Sequence, residues 1–219
     1  MRTLISLVAS AFLFIVPAKA EEPQALVDRA RLSVESVLND PNFAAAKARL
    51  RTARGILVVP QLIKAGLFIG GEGGFGVLLS RDAQGRWSSP AFVSMAGASF
   101  GIQIGVEAKE VLFLVMTDRG MNSLMSTQGK LGADASVSVG PMGAGVEAAT
   151  IGSPATDIIA FSKSQGLFGG AALEGSVIQP KADFNQAYYG RAVSPRQILI
   201  EHAVSNPGAD DLRRALAAR

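Results

Sequence analysis

The stretch Gly66-Leu67-Phe68-Ile69-Gly70-Gly71-Glu72-Gly73-Gly74-Phe75-Gly76 decides how this chain is read. Gly71, Gly73 and Gly76 stand at the spacing of a GxGxxG, the glycine fingerprint of a dinucleotide site. Such a site needs its glycines between a strand and a helix, so that the pyrophosphate meets the helix N-terminus, and an acid about 20 residues on. Here Val77-Leu78-Leu79-Ser80-Arg81 follows, a strand-like run ending at the turn Asp82-Ala83-Gln84-Gly85. The glycines are therefore read as strand glycines that permit bending or close packing. An echo agrees: Gly66-Leu67-Phe68 returns as Gly166-Leu167-Phe168, again followed by glycines and then Gly175-Ser176-Val177.

Around this stretch the texture is that of short strands. Of the 24 glycines, 22 lie between Gly66 and Gly190, a density that opposes long helices because each interior glycine costs about 1 kcal/mol relative to alanine. Leu131, Ala133, Ala135, Val137 and Val139 alternate with small or polar residues and predict a strand over 131–139; Ile102, Ile104 and Val106 do the same. Val111 to Met116 is continuously apolar, as a strand covered on both faces would be. Ile56 to Val59 reads as a short buried strand, with Pro60 opening one helical turn through Ala65. A second short echo pairs Gly105-Val106-Glu107-Ala108 with Gly145-Val146-Glu147-Ala148.

Helices flank this core. Leu26, Val27, Ala30, Val34, Val37 and Leu38 recur at helical spacing over 24–38. Asp40 and Pro41 suit the cap and first position of a second helix running to about Arg54. Met121 to Lys130 is polar enough for a short helix or loop. Ser194-Pro195 begins another helix, and Asp210 and Asp211 favour the start of a last one. The expected fold class is α+β, mainly β: a glycine-rich antiparallel sheet or barrel-like core, with N-terminal amphipathic helices and C-terminal helices.

Residues 1–20 read as a signal peptide: Arg2, an apolar run from Leu4 to Val16, and the small-x-small cleavage site Ala18-Lys19-Ala20. The expected mature chain, residues 21–219, is a single domain of 199 residues, exported to the periplasm or secreted. Cleavage removes two of the 21 Lys and Arg and none of the 18 acids, leaving 19 against 18, so the global charge identifies no partner. With no cysteine there is neither a disulfide scaffold nor thiolate chemistry.

Catalytic signals are sparse. His202 is the single histidine, expected on the surface of a terminal helix, and no metal ligand set or cofactor motif is evident. Glu72, Glu107, Asp134, Glu147 and Glu174 would have to pair across a cleft to serve a carboxylate-based hydrolase. The most informative chemistry is a stretch without acids from Pro41 to Gly71 that holds Lys47, Arg49, Arg51, Arg54 and Lys64. On a helix Lys47, Arg51 and Arg54 share one face, which suits an anionic membrane surface. The same stripe also fits a solvated face of a helix docked on the sheet. Export and few aromatics argue against nucleic acid.

Several motifs then carry a resemblance. Gly166-Leu167-Phe168-Gly169-Gly170-Ala171-Ala172-Leu173-Glu174-Gly175-Ser176-Val177-Ile178, followed by Asn185 and Tyr188-Tyr189-Gly190, is similar to the C-terminal signature of the SYLF lipid-binding family. Val59-Pro60, Lys64-Ala65-Gly66, Gly73-Gly74-Phe75-Gly76-Val77, Trp87-Ser88-Ser89-Pro90-Ala91-Phe92 and Gly132 to Gly143 match in order, so the resemblance spans roughly Leu26 to Leu199. It implies a non-enzymatic domain that binds phosphoinositides through an N-terminal amphipathic or basic segment, with actin binding in some members. The matching positions are Lys47, Arg51, Arg54 and Lys64. Export makes phosphatidylglycerol or cardiolipin the plainer ligand, and an envelope protein-interaction module is the alternative.

Overall fold

In the computed structural model, residues 22–140, 143, 156–163 and 175–217 are described, without the side chains of 66–69 and 99–105. Helix α1 (Pro23–Leu38) buries Leu26, Val27, Ala30, Val34, Val37 and Leu38 along one stripe. On its outer face Arg31 donates twice to the Glu35 carboxylate, each at 2.9 Å. Asp40 accepts from the Asn42 amide and starts a 3₁₀ turn, Pro41–Phe43, that leads into α2 (Ala44–Leu50).

The second helix thus stops four residues earlier than the expected Arg54. Arg54 has already joined the sheet: its N–H donates to Val115 O at 2.8 Å, and its carbonyl accepts from Arg81 N at 2.7 Å. A backbone engaged in a ladder on both groups cannot also close helical hydrogen bonds. The Arg81 guanidinium donates to Arg51 O at 2.7 Å and so covers one of the carbonyls orphaned at the end of α2.

Two long strands form the centre, β1 (Gly55–Ser80) and β2 (Ala91–Val115), paired antiparallel from Gly55↔Val115 to Leu78↔Ala91. The expected helical turn at Pro60 is absent. Val59 faces Val111 and Leu62 faces Lys109, so Pro60 and Gln61 together oppose Glu110 in a β-bulge. A bulge suits proline because its missing N–H costs no ladder bond there. A second irregularity falls between Gly66 and Phe68.

A straight strand of this length would extend roughly 85 Å, yet the residues flanking β1, Arg54 and Arg81, are hydrogen-bonded. The ribbon therefore turns back on itself. The opening glycine stretch makes this possible: a Cβ on Gly74 would lie 2.5 Å from Gln61 O, and one on Gly76 would lie 2.7 Å from Val58 O. No helix follows these glycines, so the dinucleotide reading fails on context.

Helix α3 (Asp118–Met125) follows, then the short strands β3 (Gly129–Lys130), β4 (Val137–Val139), β5 (Ile158–Lys163) and β6 (Val177–Pro180). The described sheet has the order β3-β6-β2-β5-β4, with β1 also paired to β2. It is a curled, mostly antiparallel half-barrel, in which β4 with β5 is a parallel pair. The strand expected over 131–139 is shorter than its alternation suggested. Gly132 takes φ +87°, Gly132 N donates to Ala135 O, and the Asp134 carboxylate accepts from Lys130 N, so 131–135 is a turn.

Both faces of the central strands are covered. Ile56, Val58, Val77, Leu79, Leu112 and Leu114 pack under α1 and α2 and under α6 (Asp210–Ala217), the last helix. Leu57, Val59, Val111, Phe113 and Val115 face the other way, with α3 and with α5 (Pro195–Leu199). That explains the continuous apolar run at 111–115, as expected. The signature residues of α4 (Ala182–Tyr189) dock on the start of β2. Buried Asn185 accepts from Phe92 N at 3.0 Å, Tyr189 donates to Pro90 O at 2.6 Å, and Tyr188 meets the Phe92 ring edge-on. A capping box closes the start of α5 at Ser194, as the sequence predicts. His202 is exposed in the bend after α5, at φ +51°, and not in a helix. The Gly166 and Gly145 echoes lie outside the described residues.

Candidate functional site

The basic stretch is divided by the fold. Lys47 is exposed on the last turn of α2, and Arg51, the C-cap, keeps helical dihedrals (φ −63°, ψ −25°), so the two still share a face. Arg54 lies beyond the Ala53 turn at the entry to β1 and pairs with Asp118 at 3.2 Å, both side chains well exposed. The three-residue helical face expected from spacing is therefore a pair with an ion-paired neighbour. Lys64 sits nine residues into β1, about 30 Å of strand from Gly55, half-buried and opposite Glu107 in the ladder. It is not brought together with the other three.

Lys64 belongs instead to a polar cluster inside the curled ribbon. Lys109, 6% exposed, forms an ion pair with Glu107 at 3.2 Å. Glu72, 5% exposed, accepts from Ser176 Oγ at 3.1 Å, while its second oxygen has no hydrogen-bond partner among the described residues. Burial pushes the Glu72 carboxyl above its usual range, and Ser176, Lys109 and Lys64 oppose that only in part. Spacing alone did not reveal this cluster. The one available signal was a glutamate standing alone among glycines.

The sign of the Glu72 effect follows. A carboxyl whose folded pKa is raised binds its proton more tightly in the folded state. Stability is then greatest below the unfolded pKa and declines as pH rises toward the folded one. Glu72→Gln keeps an acceptor for Ser176 and removes the titration. The variant is expected to be more stable than the parent at pH 7, with a flatter profile between pH 4 and 7 in urea melts.

The other carboxylates do not assemble a cleft of their own. Asp134 is exposed and bound within its turn, accepting from Lys130 N, and Glu147 and Glu174 lie outside the described residues. An open groove of about 740 Å³ beside α1 is lined by Arg29, Lys109, Lys163, Glu107 and Glu110. Lys163 there is held by Asp40 and by Ser36, and Lys109 by Glu107. The groove thus mixes both signs. Among the described residues no three His, Asp or Glu side chains gather as metal ligands, and no helix is long and apolar enough to cross a membrane.

The family described as "Ysc84: Las17-binding protein actin regulator" matches residues 96–219, more than half of the chain. The chain belongs to the Ysc84 family, whose domain is SYLF. Protein YSC84 of Saccharomyces cerevisiae is 36% identical over 174 residues, 78% of this chain and 37% of that protein. LAS seventeen-binding protein 3 of the same species is also 36% identical, over 78% of this chain and 38% of its own length. SH3 domain-containing YSC84-like protein 1 of Homo sapiens is 28% identical over 179 residues, 81% of this chain and 52% of its own. The chain thus spans about two fifths to one half of the length of these relatives. SYLF domains are known for lipid and actin binding and are generally non-catalytic.

Proposed function

We propose that this chain is an exported, membrane-peripheral module that holds anionic phospholipid head groups without catalysing a reaction. The observation that carries this reading is the exposed pair Lys47 and Arg51, set in a segment with no acid from Pro41 to Gly71. Lys47 and Arg51 have no acid within their own segment, and each cation near a charged membrane contributes about 1 kcal/mol, screened by salt. Arg54 adds less because it already faces Asp118. Lys64, half-buried inside the ribbon, serves the same charge at a distance from the other three. Phosphatidylglycerol and cardiolipin are the envelope lipids of matching charge, and phosphatidylinositol is the head group suggested by kinship. The leader-like segment 1–20 supports export.

Co-sedimentation with vesicles tests this. The protein is expected to bind phosphatidylcholine vesicles containing phosphatidylglycerol or phosphatidylinositol and to leave phosphatidylcholine alone in solution. Lys47→Gln with Arg51→Gln removes about 2 kcal/mol, roughly a 30-fold weaker partition at low salt, with unchanged circular dichroism. Equal binding to neutral and anionic vesicles would sink the electrostatic reading. A protein cross-linked in the envelope that ignores vesicles would favour an interaction module.

A further inference from the structure

The β1–β2 ribbon is covered on both faces near its two ends, where 55–59 pair with 111–115 and 76–78 with 91–93, but toward its bend the usual polarity reverses. Ile63 and Ala65 on β1 face Ala108 and Val106 on β2, so these four residues share one face of the ladder. All four are exposed, Val106 at 76% and Ile63 at 42%. The opposite face carries Lys64 opposite Glu107 and Lys109 opposite Leu62, while half-buried Glu110 borders the apolar face two residues beyond Ala108. Lys109 and Leu62 are buried there, and Glu107 and Lys64 half-buried. The other arm of the ribbon repeats the arrangement. Glu72, 5% exposed, lies on the inner face, while Ala96 and Ala98, to either side of its partner Gly97, are exposed.

Apolar outward and polar inward is the arrangement of strands whose outer solvent is lipid. Residues 65–71 and 98–106, which form the bend, contain no charged residue. At its base, Lys64 and Lys109 are matched by Glu107 and Glu72 on the inner face. A water-facing ribbon would place Lys64, Glu107 and Glu72 outside, because burying charge is costly.

We propose that this inverted end of the ribbon, with Ile63, Ala65, Val106 and Ala108 outermost, inserts into the acyl boundary of an anionic bilayer. The proposal rests on the membrane reading above and adds where the chain enters the lipid. It separates the two contacts: Lys47 and Arg51 attract the surface, and the ribbon end enters it.

The chain has a single tryptophan, Trp87, so Trp87→Phe with Val106→Trp places one reporter on the ribbon. Added phosphatidylglycerol vesicles are expected to shift its emission to the blue, and lipids brominated along the chain to quench it. Val106→Asp and Ile63→Asp, both at exposed positions, are expected to weaken vesicle binding about tenfold or more while leaving the melting transition in place. Vesicle binding that depends on Lys47 and Arg51, with an unshifted reporter, overturns ribbon insertion and leaves the surface reading standing. A blue shift that persists in Lys47→Gln/Arg51→Gln supports insertion and removes the electrostatic contact. A blue shift without vesicles that grows with protein concentration assigns the face to a second copy and overturns the proposal. No binding to any vesicle overturns both readings.

Discussion

Replacing Gly76 by valine is expected to lower the stability of the folded chain by about 3 kcal/mol, within the range for forced overpacking. A Cβ there would meet Val58 O at 2.7 Å and the side chains of Leu57 and Val59 at 2.9 and 3.0 Å. Its nearest obstacle is backbone in a strand buried on both faces, so relief requires moving the strand rather than a rotamer. Gly71 is the control, because a Cβ at that position meets only Gly97 O, at 3.9 Å. Gly71→Ala is expected to change the urea midpoint little. Equal loss in the two variants would contradict the account of β1 folding back on itself.

Asp157→Ala is expected to cost about 3 kcal/mol, in line with removal of one partner from a buried charged network. Asp157 is 5% exposed and ties three elements together. Its carboxylate accepts from Thr117 Oγ1 at 2.5 Å and from the N and Oγ of Ser136, both at 2.9 Å, and it pairs with Arg119 at 3.3 Å. Thr117 caps α3 and Ser136 precedes β4, so the loss falls on the junction of helix and sheet. Burial by itself would raise the Asp157 pKa, but the Thr117 and Ser136 hydrogen bonds and Arg119 outweigh it and hold the group below its usual range.

A depressed folded pKa means that the unfolded chain binds the proton more readily, so the contribution is present above the unfolded pKa and lost as pH falls through the folded one. Melts between pH 2 and pH 7 should show that acid loss in the parent and a smaller one in Asp157→Asn. An identical acid profile in both would remove Asp157 from the explanation. Glu72 is the opposite case: its buried carboxyl is raised, and its stabilising effect declines toward neutral pH. The two acids differ because Asp157 receives three hydrogen bonds on its carboxylate, whereas one oxygen of Glu72 has no hydrogen-bond partner among the described residues.

What could be read in the sequence was local. The period of α1, the capping serine before Pro195, the acids at the start of α6 and the apolar run of β2 each report a residue's own neighbours. Membership of the SYLF family was legible for a related reason, since Asn185, Tyr188 and Tyr189 form a short signature whose side chains secure α4 to β2. Helical spacing also predicted Lys47 and Arg51 on one face, because that relation depends only on α2 and its cap.

The remainder was decided in three dimensions. Pro60 reads as the start of a turn until Val111 and Lys109 supply partners on either side and make it a bulge. Arg54 reads as helical until Val115 and Arg81 take its backbone groups. Lys64, seventeen residues after Lys47 in the same basic stretch, is carried to the inside of the ribbon by the alternation of β1. Period-2 patterning says which residues share a face, but only the curl of the sheet says which face is inside. The glycines between Gly66 and Gly76 permit that curl, because without side chains two strands can approach to backbone contact. The sequence alone thus determined that the stretch is strand and not phosphate loop; the tertiary structure decided that it buries Glu72 and leaves Val106 and Ile63 facing outward.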